Sequence, residues 1–262
     1  MALEIIRKIT PEEEELLRKR EELASVRASL AERELELADF RAQIKSFEGR
    51  YLRQVGVLYA EMDDLDARVA ELEASLESSA TARQRAERAR KRADDTHEAT
   101  HGEASKAADF KPSADLKTLF REVAKRIHPD FANDDAERQR RTRFMAEANE
   151  AYSRGDAEAL QRILDEYSES SESVQGEGIG AELIRIIRQI AEAKKHIAAI
   201  EQELATLRAS EIAKLRKDVE AAEQQGRDLL AELAVTVGEQ VARARREYET
   251  LAKEAKKSGR QI

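Results

Sequence analysis

The chain has 262 residues, 38% of them charged and only 4% aromatic, with three prolines and no tryptophan. That mix excludes an ordinary compact globule and predicts an all-α protein built on long helices. The absence of cysteine excludes disulfides and thiolate metal sites, and a net charge of -8 argues against nucleic acid as a partner of the whole surface.

In chain order, residues 1–10 are a tail, and Thr10, Pro11 and the glutamates at 12 to 15 form a strong helix start. A hydroxyl caps the helix, proline takes the first helical position, and acids face the positive end of the dipole. A first coiled-coil arm follows over 11–77, its apolar seam running from Leu16 through Leu23, Val26, Leu30, Leu37, Phe40, Ile44, Phe47, Tyr51, Val55, Leu58, Met62, Leu65, Val69 and Leu72 to Leu76. Apart from heptad positions skipped near 19 and 33 the steps are threes and fours, with consecutive fours at Phe47, Tyr51 and Val55 that mark a stutter. Gly49 and Gly56 lie beside it, so closer packing or a third helix fits there.

The seam stops at Leu76. Residues 78–109 hold no Leu, Ile, Val or Met, and within 83–92 Arg83, Arg85, Arg88, Arg90, Lys91 and Arg92 stand against the single acid Glu87. Without interleaved aromatics this run reads as a solvated basic helix or linker rather than a nucleic-acid face. His97 and His101 are spaced like a metal pair on a helix, but no third ligand accompanies them and no metal site is expected.

Residues 110–168 form a small helical module. Leu116, Leu119, Phe120, Val123 and Ile127 line one side of a helix by the i, i+3, i+4 rule, and Lys117, Arg121 and Lys125 form a basic stripe beside it. Pro129 has no amide hydrogen and pushes the residue before it out of the α region, so the helix ends at Ile127 and His128 and Asp130 are expected to project from a loop. Asn133 or Asp134 caps the next helix, with Glu137 placed for a capping box, and Met145, Ala148 and Tyr152 form its packing face. Gly155 ends that helix, and Asp156 caps a short last one carrying Leu160, Ile163 and Leu164.

The run Leu119 to Phe131, LFREVAKRIHPDF, with Asn149, Glu150, Ala151 and Tyr152 downstream, resembles the J domain, the co-chaperone module of DnaK-type heat-shock ATPases. The resemblance is carried by residues 114 to 153, about a sixth of the chain. It implies that His128, Pro129 and Asp130 trigger ATP hydrolysis in the partner and that Lys117, Arg121 and Lys125 dock on it. In place of the family's first helix, Tyr-x-x-Leu-Gly, the sequence has EASKAADFKPS, where Phe110 alone suits a core. A shortened module leaning on a flanking helix is therefore expected.

After a Ser, Glu and Gly-rich linker at 169–180, a second arm spans 181–258. Its seam runs from Leu183 through Ile186, Ile190, Ala193, Ile197, Ile200, Leu204, Leu207, Leu215, Val219, Ala222, Gly226, Leu229, Leu233, Val237, Val241, Ala244, Tyr248 and Leu251 to Ala255. A second stutter lies between Leu207 and Leu215, His196 reads as a surface histidine beside the seam, and the basic tail Lys253 to Arg260 should fray. The two seams are ~90 and ~110 Å long as helices, and such near-matched lengths predict an antiparallel hairpin with the module at its tip. Leu76 would then face Leu183, and Leu16 would face Arg243. Parallel pairing and self-association in a homodimer are the competing arrangements.

The expected function is a co-chaperone that recruits a DnaK-type ATPase and uses its arms for dimerisation or for a client. The alternative is a coiled-coil scaffold or adaptor with a J-like docking module. The chain has no phosphate-cradling glycine loop and no nucleophile paired with a base, so it is expected to be neither an enzyme nor a holder of cofactors. No apolar run reaches the ~20 residues of a membrane-spanning helix and MALEIIRKIT does not read as a signal peptide, so a cytoplasmic location is expected.

Overall fold

A computed structural model describes residues 10–77, 79–102, 110–169 and 178–257. The rest of the expected tail at 1–10, most of the linker at 169–180 and the last part of the basic tail lie outside the described residues. The protein is all-α, and no helix among the described residues is long and apolar enough to cross a membrane. The chain divides into two compact units, Met1–Gln43 with Phe110–Ala209 and Ile44–Asp109 with Ser210–Ile262.

The first unit holds most of α1 (Pro11–Tyr51), then α4 (Ala114–Ile127), α5 (Asp135–Arg154), α6 (Ala157–Glu169) and α7 (Ile179–Ala209). The start of α1 is a reciprocal capping box, in which Thr10 Oγ1 accepts from the Glu13 amide at 3.2 Å and Glu13 Oε2 accepts from the Thr10 amide at 2.9 Å. Its seam residues Leu16, Leu23, Val26, Leu30 and Leu37 pack with Ile186, Ile190, Ala193, Ile200 and Leu204 of α7. The flanking ion pairs give the direction. Arg20 meets Glu182, Glu22 meets Lys194, Arg33 meets Glu201, Glu36 meets Arg208 and Arg41 meets Glu203. From Arg20 to Arg41 the partners advance from Glu182 to Glu203, so α1 and α7 run parallel, and the antiparallel register that set Leu76 against Leu183 is not found.

The α4–α6 segment forms its own core in the same unit. Phe120, Val123, Ala124 and Ile127 of α4 meet Phe144, Met145, Ala148 and Tyr152 of α5 and Leu160, Ile163 and Leu164 of α6. The helices α4 and α5 are antiparallel, since Phe120 packs on Tyr152 with ring centroids 4.7 Å apart while Arg141 reaches the carbonyls of Arg126 and His128. Ala31, Leu35 and Ala38 of α1 join this core. That is the flanking support anticipated from the short first-helix region, of which Phe110 packs edge-on against Tyr152 at 5.5 Å.

In the second unit the last turns of α1 lead through a π-helical turn, Leu52–Gly56, into α2 (Val57–Glu77), followed by α3 (Ala80–His101), α8 (Glu211–Gln224) and α9 (Leu229–Lys257). The π turn stands where the stutter at Phe47, Tyr51 and Val55 was read, and it absorbs the extra residue of the consecutive fours. Gly56 is buried there, and a Cβ at this position would lie 3.1 Å from the Thr100 methyl of α3. A third helix does pack closely at this point.

The basic run, read as a solvated helix or linker, is a helix, and it folds back along α2 as α3. Arg92 pairs with Asp63 and Asp66, and Arg90 with Asp64 and Glu71, so the two helices are antiparallel. Their contact is small rather than aliphatic, with Ala82, Ala86, Ala93 and Thr100 buried. The parallel direction of α1 and α7 holds also for α2 and α9, where Glu61 meets Arg245 and Arg68 donates to the Tyr248 hydroxyl at 2.9 Å.

Two breaks divide the second arm. Ser210, extended at ψ 151°, caps α8 by accepting from the Ala213 amide, so the stutter after Leu207 is a helix break. Gly226 leaves the seam altogether: it takes φ 76° in the turn before α9, and Asp228 caps α9 by accepting from the Ala231 amide at 3.0 Å.

Candidate functional site

The residues carrying the J-domain resemblance lie at the C-terminal end of α4. His128 is extended at ψ 133°, and Pro129–Phe131 make one 3-10 turn. The expected break after Ile127 is present. The expected projection into solvent is not, because His128 is 1% exposed and Phe131 2%.

Three elements close over the loop. From α1, Glu34 Oε1 stands 3.2 Å from His128 Nε2. The Asp130 amide donates to His128 Nδ1 at 3.1 Å, which places the ring proton on Nε2, directed at Glu34. From α7, His196 Nδ1 lies 3.0 Å from Asp130 Oδ2 and its Nε2 3.6 Å from Glu34 Oε1. Phe131 belongs to the seam core, with Arg27 over its ring at 4.5 Å and its carbonyl accepting from Gln189 Nε2 at 3.3 Å. From α5, the buried Arg141 pairs with Glu137 and donates to the carbonyls of Arg126 and His128, satisfying the open end of α4.

Burial by itself raises the Asp130 carboxyl, but the hydrogen bond from His196 and the charges of His196 and Arg138 carry it below its ordinary value. The same hydrogen bond to Asp130 outweighs desolvation at His196 and, with Glu34 nearby, holds that imidazole above its ordinary value. His196 and Asp130 therefore behave as an ion pair within a half-buried cluster.

The basic stripe is met by the same face of α1. Lys117 Nζ lies 2.9 Å from Asp39 Oδ2, and Arg121 Nε stands 2.9 Å from Glu32 Oε2, off the hydrogen-bond axis. Asp39 also accepts from the Tyr152 hydroxyl at 3.3 Å. Lys125, one helical turn on, is exposed. Of the six residues singled out from the sequence, Lys117, Arg121, His128 and Asp130 are thus brought against the arms, Pro129 shapes the turn between them, and Lys125 stays on the surface.

Protein-family models, curated proteins and solved structures return no match to this chain. The J-like reading rests on the residues themselves.

Several residues at the site carry no sequence signal of their role. Glu32, Glu34 and Asp39 look like ordinary seam-flanking acids, and His196, read as a surface histidine, is half-buried and hydrogen-bonded to Asp130. Only Glu137 and Arg141, four apart on one helix, form a pair visible in the sequence.

This burial changes what His128→Gln does. The substitution takes a hydrogen-bonding partner from the buried Glu34 carboxylate and from the Asp130 amide, and an unpaired buried group costs about 1–3 kcal/mol. A midpoint lowered in thermal or urea unfolding, with helicity unchanged at low temperature, is the expected result. An unchanged midpoint means that the histidine is not seated under α1.

Proposed function

We propose that this chain is a J-type co-chaperone whose ATPase-recruiting face is kept closed by its own coiled-coil arm. The observation that carries the reading is the match between that face and α1, where Asp39, Glu32 and Glu34 meet Lys117, Arg121 and His128. These acids stand where the resemblance puts the acidic surface of a DnaK-type partner, so the arm and the partner compete for one set of residues. The competition is physically feasible. The exposed pair of Arg121 with Glu32 contributes only about 0.2–1 kcal/mol and the buried contact of His128 with Glu34 about 1–3 kcal/mol, both within the ~8 kcal/mol of a micromolar docking partner.

The second reading, a scaffold in which the J-like segment is only a packing piece, is favoured by the burial of His128 at 1% exposure. One experiment separates the two. The ATPase rate of the DnaK from the same organism is measured against increasing full-length chain, unaltered or carrying Glu32→Gln with Glu34→Gln. If the face is held closed, the opened variant reaches half-maximal stimulation at roughly one tenth of the concentration, within the span of ordinary coupling energies. Adding His128→Gln to that variant should abolish stimulation. If neither the unaltered nor the opened chain stimulates, the co-chaperone reading fails and the scaffold stands.

A further inference from the structure

Glu34, His128 and His196 come from three separate elements, and one ligand atom of each lies within 4.8 Å of the other two. We propose that these three side chains bind a divalent transition cation of the zinc class, with Asp130 as the outer carboxylate that orients both histidines. Binding itself does not depend on the co-chaperone reading; its consequence for the closed face does.

Geometry and chemistry agree. Four ligands at about 2.0–2.1 Å around a tetrahedral cation stand about 3.3 Å from one another. Here Glu34 Oε1 is 3.2 Å from His128 Nε2 and 3.6 Å from His196 Nε2, so only small side-chain rotations are needed. Two imidazoles and one carboxylate form a borderline set that suits zinc, and they leave a fourth position for water. Glu34 and His128 are buried, while the His196 side chain is 38% exposed and gives a route in from solvent.

Asp130 makes the arrangement more than a coincidence of three ligands. It accepts from His196 Nδ1 at 3.0 Å, which fixes that ring with Nε2 turned toward Glu34. Such a carboxylate behind a metal-binding imidazole is the usual orienting partner. On His128 the proton sits on Nε2 without metal. A cation displaces it, and the ring takes a proton at Nδ1, where Asp130 Oδ2 already stands 3.7 Å away and can accept it. The His128 ring stays neutral, His196 gives up the proton that its Nε2 carries when charged, and the Asp130 amide loses its bond to Nδ1. The dication balances the two carboxylates that remain.

The histidines elsewhere provide an internal control. His97 and His101 stack at 4.1 Å on α3, and His101 Nδ1 is turned to the His97 carbonyl and the Thr100 hydroxyl. No third ligand joins them among the described residues.

The test is titration of the full chain with Co2+, read by visible ligand-field absorption, followed by competition with Zn2+. The expected result is saturation at one Co2+ per chain, displacement by Zn2+, and a rise in Tm of about 5 °C with saturating Zn2+. His196→Ala, at a half-exposed position that need not disturb folding, and the isosteric Glu34→Gln should each weaken binding at least about tenfold. His97→Ala with His101→Ala should leave it unchanged. The inference is overturned if the unaltered chain shows no saturable absorption up to about 100 µM, a weak limit for a three-ligand site, or if the signal follows His97 and His101, or if His196→Ala binds as the unaltered chain does. ATPase measurements play no part in these outcomes, so the metal site and the co-chaperone reading succeed or fail separately. Where both hold, Zn2+ raises the concentration of chain needed for half-maximal stimulation.

Discussion

Nitroxide labels placed on cysteines at Arg20 and Glu182 will lie within about 25 Å of each other, the reach of two label arms across adjacent helices. The unaltered side chains form an ion pair there, and the absence of cysteine elsewhere makes the labelling unambiguous. The expected effect is large because the alternatives are far apart. In an antiparallel hairpin with Leu76 opposite Leu183, Arg20 would face Glu239, which puts Glu182 some ~85 Å away along the rod at 1.5 Å per residue. Losing the native pair costs no more than about 1 kcal/mol at an exposed site, so the seam of Leu16, Leu23 and Ile186 survives the labels. A tenfold excess of unlabelled chain separates pairing within one chain from pairing between copies. A short distance that disappears on dilution with unlabelled chain assigns the contact to a dimer, and a long distance in both samples overturns the parallel arrangement.

Why the direction was not legible is instructive. A heptad seam records which residues face a partner but not which way that partner runs, because a and d positions recur identically in both directions. The return of α3 along α2 was hidden for a related reason, because its contact surface consists of Ala82, Ala86, Ala93 and Thr100. A search for large aliphatics passes over such a seam, and the arginines that line it look like a solvated basic run until Asp63, Asp64, Asp66 and Glu71 are placed opposite. By contrast, features set by local covalent geometry were readable. The hydroxyl cap at Thr10, the end of α4 before Pro129, the stop of α5 at Gly155 and the irregular turn near Tyr51 to Gly56 all follow from neighbours in sequence.

At the candidate site the division is the same. His128, Pro129 and Asp130 were legible as a motif, and the shape of their turn followed from the proline. Their burial was not, because it depends on Glu34 and His196, 94 residues before His128 and 66 residues after Asp130. Polar residues flanking a seam have no fixed partner type, and only the parallel register brings these two together.

A segment of residues 110–169 excised from the chain is expected to lose cooperative folding, although it contains α4, the loop, α5 and α6. A unit of this size has a net stability of only about 3–9 kcal/mol. Excision uncovers Phe131, which is packed in the seam core, and removes Leu35, Ala31 and Ala38 from the core around Phe120 and Tyr152. Uncovering one large side chain and removing one leucine contact forfeits about 1.5–3 kcal/mol each, and the buried bond between His128 and Glu34 adds to the loss. The total is of the order of the whole stability. The excised segment should therefore show reduced helicity, a broad thermal transition and fast amide exchange, while the same residues in the full chain are protected. A sharp transition near that of the full chain would mean that the segment folds independently. The result also constrains how the face would open if, as proposed, α1 holds it closed. If the segment depends on α1, then α1 cannot leave entirely: the pairs of Glu32, Glu34 and Asp39 must break while Ala31, Leu35 and Ala38 stay packed, so that opening is a small rolling of α1 and not its release.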